Sequence, residues 1–145
     1  MKSWRNVALT ILLASALSVV VVYALLASVT IHNIATLKTV GLEVYADQQL
    51  TQPLTQINWG TLEPGETKSY VAYVKNPSDV QVTLAVWTQN WNPNGTQNYV
   101  TLNCNLTGTT MQPTQVLPCT FTLNVSSDIQ GVSSFSFDII MQAEG

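Results

Sequence analysis

The chain has 145 residues, a net charge of −3 and only 9% charged side chains. That acidic balance argues against a nucleic-acid or anionic-lipid partner, because phosphate recognition needs a basic face. One histidine and two cysteines are too few for an ordinary zinc or blue-copper centre, and the body of the chain after His32 has no histidine for a Ser-His-Asp triad.

No Asp, Glu, Lys or Arg occurs from Asn6 to Leu37, and Lys2 and Arg5 stand before that run. As a helix, residues 7–31 would rise about 37 Å, enough to cross a hydrocarbon core of about 30 Å. The expectation is therefore a cytoplasmic basic stub (residues 1–6), a transmembrane signal-anchor helix (7–31), a juxtamembrane linker (32–38) and an extracytoplasmic domain (39–145). The flanking cations put the N-terminus in the cytoplasm and the domain outside, with membrane lipid as the helix's partner. A second reading comes from the small-x-small site Val22-Tyr23-Ala24. Cleavage after Ala24 would free Leu25, Ala27, Val29 and Ile31, an alternating apolar set suited to a donor strand for a neighbouring subunit.

Beyond His32, short period-2 runs recur with turn signals between them. Strands are predicted over residues 39–46, 56–60, 68–76, 80–87, 99–105, 114–125 and 134–142. Glu63-Pro64-Gly65 reads as a tight turn, with proline setting φ and glycine taking the positive φ of a type II turn. Val40, Leu42 and Val44 are expected on one face of the first strand. Val80, Val82, Leu84 and Val86 alternate with polar positions in the fourth. Cys119, Phe121, Leu123 and Val125 are expected inward on one late strand, and Phe135, Phe137, Ile139 and Met141 on the last. The fold class is all-β: a seven-stranded antiparallel immunoglobulin-like β-sandwich preceded by one N-terminal transmembrane helix.

Cys104 and Cys119 both fall on inward positions, and an even cysteine count in an exported domain predicts a disulfide between them. Asn94, Asn105 and Asn124 each begin an Asn-x-Ser/Thr acceptor for N-glycosylation. Trp91, flanked by Asn90 and Asn92 in a loop, is the candidate contact residue, able to stack on a sugar or pin a partner; the competing reading folds it back over the end of the sandwich. The carboxylates lie at turns or outward positions, where a solvated charge is the ordinary role. No catalytic residue, metal site or cofactor is expected.

Trp59-Gly60-Thr61-Leu62-Glu63-Pro64-Gly65-Glu66-Thr67, followed by Tyr73-Val74-Lys75-Asn76 and Val82-Thr83-Leu84, resembles small immunoglobulin- or fibronectin-like surface domains of archaea and bacteria. The layout is also similar to archaeal pilus-type proteins and, more loosely, to camelysin and biofilm-fibre sandwiches. The resemblance implies a fold and a non-enzymatic surface role, because the Leu-x-Pro-Gly string is turn chemistry and carries no catalytic residue. The functional expectation is a membrane-anchored, non-enzymatic module displayed for structural or adhesive contacts in the cell envelope. Its partners would be envelope proteins, glycans or copies of itself. The alternatives are a filament subunit assembled by donor-strand addition, and an accessory subunit of a membrane complex.

Overall fold

The computed structural model describes residues 31–145. They form nine strands: β1 (Ile31–Val40), β2 (Glu43–Tyr45), β3 (Gln56–Leu62), β4 (Thr67–Lys75), β5 (Val82–Asn92), β6 (Val100–Cys104), β7 (Thr110–Met111), β8 (Val116–Val125) and β9 (Ser134–Glu144). A single 3-10 turn (Thr96–Asn98) precedes β6. Two sheets result, one in the order β3-β1-β9-β5-β7 and the other β2-β4-β8-β6.

The core lies between the inner faces of the two sheets, and its composition follows the period-2 alternation of the sequence. Phe121, Leu123, Phe137, Ile139 and Met141 are buried at every second position of β8 and β9. Both strands therefore appear on the faces expected of them. The Glu63-Pro64-Gly65 turn is also present: Gly65 takes φ 82°, and the Glu66 N–H donates to the Glu63 carbonyl at 3.0 Å. At the corner after β4, Asn76 is fully buried and satisfied. Its Nδ2 donates to the Val80 and Gln112 carbonyls, and its Oδ1 accepts from the Ser78 N–H and hydroxyl. Four such bonds make a buried amide tolerable and tie the 76–80 corner to the turn at Gln112.

The N-terminal expectations are corrected. Ile31, assigned to the end of a membrane helix, opens strand β1 and is fully buried in the sandwich, and residues 32–38 are strand rather than linker. Among the described residues no helix is long and apolar enough to cross a membrane. The helix-plus-sandwich fold, the single-pass anchored topology and the lipid partner are accordingly withdrawn; residues 1–30 of the proposed stub and span lie outside the described residues. The physical reason is visible at the junction. Mean apolarity over a long window hides that polar His32, Thr36 and Lys38 fall at even positions while Ile31, Ala35 and Leu37 fall at odd ones, and that alternation selects a half-buried strand.

Two further differences concern topology. The predicted strand 39–46 is two strands in different sheets, broken at Gly41, where φ of 71° turns the chain. Val40 consequently faces solvent, while Leu42 and Val44 are buried. The sandwich is also not wholly antiparallel, because β1 runs parallel to β9 from His32↔Ser134 to Val40↔Gln142. Strand β7, two residues long, was not foreseen.

Candidate functional site

Strand β1 is the first candidate. Ile31, Asn33, Ala35 and Leu37 point inward, and His32, Ile34, Thr36 and Lys38 point outward. It is a middle strand, with β3 antiparallel on one side (Ile31↔Leu62 to Thr36↔Gln56) and β9 parallel on the other. Its link to the rest of the described fold runs through Gly41, where a Cβ would lie 3.2 Å from that of Ala143. On its outer face Lys38 Nζ donates to Asp138 Oδ2 at 2.6 Å. Lys38 and then Asn90, whose Nδ2 donates to the same oxygen at 2.7 Å, hold the Asp138 carboxyl below the usual carboxylate range.

One polar residue interrupts the apolar stripe of β1. Asn33 is buried, and its Nδ2 donates to the Gly60 carbonyl at 3.1 Å. Its Oδ1 and the Trp59 Nε1 are buried with no protein partner. An unsatisfied buried group costs about 1–3 kcal/mol, so Asn33 favours the register that keeps its one bond. Sliding β1 by two residues would preserve the inward and outward faces but forfeit the Gly60 contact. Where β1 enters the sheet, an open cleft of about 440 Å³ is lined by His32, Asn33, Asn92, Pro93, Ser133 and Ser134, among others.

The second candidate is the cysteine pair. In the β6–β8 ladder Cys104 lies opposite Phe121, so Cys104 and Cys119 are diagonal neighbours on the inner face. Both are thiols, with Sγ atoms 3.0 Å apart; Cys119 is fully buried and Cys104 partly exposed. The hydrogen bond with Cys119 is the main cause that brings the Cys104 thiol down to about 7; burial opposes it, and the Leu106 and Thr107 N–H groups and the Thr107 hydroxyl assist. The same hydrogen bond, followed by burial, pushes the Cys119 thiol up. Cys104 opens onto a cavity of about 280 Å³ lined by Val86, Trp87, Thr88, Leu102, Asn103 and Thr107.

The remaining predicted residues are dispersed. Trp91 is half-buried, stacked on Phe137 with ring centroids 4.1 Å apart and planes at 9°, and its Nε1 donates to Thr88 Oγ1. Its face is committed to the core, while Asn90 (φ 55°) and Asn92 are exposed at the bulged end of β5. Trp87, by contrast, is 41% exposed on the outer face. In the three sequons each Asn uses its Oδ1 as an acceptor, from Gln97 Nε2 at Asn94, the Thr120 N–H at Asn105 and the Thr67 hydroxyl at Asn124. Asn94 and Asn105 are exposed and Asn124 half-buried. Of the donor-strand set, Ile31 is the first residue of β1, whereas Leu25, Ala27 and Val29 lie outside the described residues. Among the described residues no three His, Cys, Asp or Glu side chains gather as a metal site.

Sequence reasoning missed Gly41 as the bend between β1 and β2, Asn33 as the register-setting amide and Thr107 as a neighbour of the Cys104 thiol. Gly41 was detectable, since a lone glycine inside an apparent strand signals a bend. Asn33 and Thr107 act through residues distant in the chain or through loop geometry, and carried no local signal. No protein-family model and no curated protein matches this chain.

Proposed function

We propose that this chain is a non-enzymatic structural subunit that assembles by strand exchange, β1 of one copy filling the slot between β3 and β9 of the next. One observation carries the reading: the first described strand is a middle strand of its sheet, yet its described covalent link to the body is a single glycine corner. A strand so placed satisfies the same backbone groups from within its own chain or from a neighbour, which is the condition for domain swapping. The sequence supplies more of the same pattern. Leu25, Ala27 and Val29 continue the inward phase of Ile31, Asn33, Ala35 and Leu37. Within the described sheet, β3 ends opposite Ile31 and β9 begins opposite His32.

The test uses the paired outward positions Thr36 and Gln56. One batch of the full chain carries Thr36→Cys and another Gln56→Cys. The two are mixed, oxidised, and the crosslinked peptides identified by mass. The expected product joins position 36 of one chain to position 56 of the other. A mixture in which no such interchain link forms, while the double variant links within a single chain, overturns the proposal.

A further inference from the structure

We propose that Cys104 and Cys119 form an ordered thiol–disulfide exchange site, in which Cys104 accepts an incoming disulfide from solvent and Cys119 resolves it into an intramolecular bridge. The two sulfurs are already 3.0 Å apart, so the second step needs no strand rearrangement before attack. Access decides the order. Cys119 is fully buried, so an external disulfide cannot reach it directly, whereas Cys104 opens onto the cavity beside Trp87 and Asn103. That cavity is lined by apolar, hydroxyl and amide side chains without a charge, which suits one arm of a small organic disulfide. The hydrogen-bond donors around Cys104 favour its thiolate, the species that attacks, and Cys119 retains its proton until the mixed disulfide forms.

The chemistry balances in two displacements. The Cys104 thiolate attacks one sulfur of R–S–S–R; a bond forms between Cys104 Sγ and that sulfur, the S–S bond of the reagent breaks, and the first RS⁻ leaves with the proton lost from Cys104. Cys119 then gives up its proton as its Sγ attacks Cys104 Sγ; the mixed disulfide breaks, and the second RS⁻ leaves with that proton. The protein loses two electrons and becomes bridged, and the reagent is reduced to two thiols. The inference is independent of strand exchange, since both thiols lie in the sheet opposite β1.

The experiment treats the reduced full chain with 2-hydroxyethyl disulfide, quenches with acid at intervals and reads intact mass. Wild type is expected to end bridged, with no mercaptoethanol retained. Cys119→Ala is expected to stop at a single adduct on Cys104, and Cys104→Ala to react at least about tenfold more slowly, as burial of the remaining thiol requires. An adduct that maps to Cys119, equal rates for the two variants, or a wild type that keeps its adduct or stays reduced overturns the proposal. A measurement on wild type guards against variants that misfold: sub-stoichiometric iodoacetamide on the native reduced chain should label Cys104 at least about tenfold over Cys119. Equal labelling counts against it.

Discussion

The β1–β9 pairing and the β6–β8 corner lie in opposite sheets and join partners at very different distances along the chain. The Lys38–Asp138 pair across β1 and β9 spans 100 positions, whereas Cys104 and Cys119 are 15 apart. Closing the larger loop costs more chain entropy, so the pairing of β1 with β9 is the costlier of the two to close. Any second chain that offers the same alternation at high local concentration competes for that slot on nearly equal terms. The corner has no such competitor, because its partners are always near each other. The difference teaches where assembly and where covalent closure belong: the non-local strand suits exchange between copies, and the local pair suits a bridge within one.

The comparison breaks most severely at Ala35, which is fully buried in the middle of β1. Ala35→Asp places an unpaired charge between the sheets and is expected to destabilise by about 3–5 kcal/mol, measured by urea unfolding. The same variant should abolish the interchain 36–56 crosslink. At the corner, forming the Cys104–Cys119 bridge is expected to raise stability by about 3 kcal/mol, from the constraint on the unfolded chain. Denaturation of oxidised and reduced protein in parallel checks this, and a gain near zero would mean that the corner is already held closed by packing.

Smaller changes sharpen the contrast. Gly41→Ala must hold φ near 71° and bring its Cβ to 3.2 Å from that of Ala143, so a loss of about 1–2 kcal/mol is expected. Gly131→Ala, with the same φ but nothing within 4 Å, should lose less. Only the first is expected to alter the yield of interchain crosslink, because only Gly41 joins β1 to the body. The least effect belongs to Asp138→Asn. Its carboxyl is held below the ordinary range, so the folded chain binds that proton more weakly than the unfolded one. Its contribution is therefore present above the ordinary carboxylate pKa and lost as pH falls through the lowered value. Lys38 is largely solvent-exposed, so the contribution is about 0.5 kcal/mol. The Asn variant should flatten the acid limb of the stability curve by that amount.

Much of the sandwich could be read residue by residue before the fold was known. The strict alternation of Phe121, Leu123 and Val125 and of Phe135, Phe137 and Ile139 named the inner faces of β8 and β9. Proline and glycine marked the 63–65 turn, and parity put both cysteines on the core side. Trp91 was legible only as a choice, between binding from a loop and covering the end of the core; its stacking on Phe137 depends on where β9 passes, which no local pattern encodes.

What the amino-acid order determined by itself is this strand-forming alternation, the turns and the facing of the thiols, because each depends on neighbours one to a few positions away. The tertiary structure alone decided that residues 31–40 are a strand between β3 and β9, that they run parallel to β9, and that Asn33 meets the Gly60 carbonyl. A period-2 pattern states which side of a strand is buried and is silent about its partner. Partners are chosen by packing across the core and by hydrogen bonding between segments 100 residues apart, so that choice exists only once the whole chain has closed.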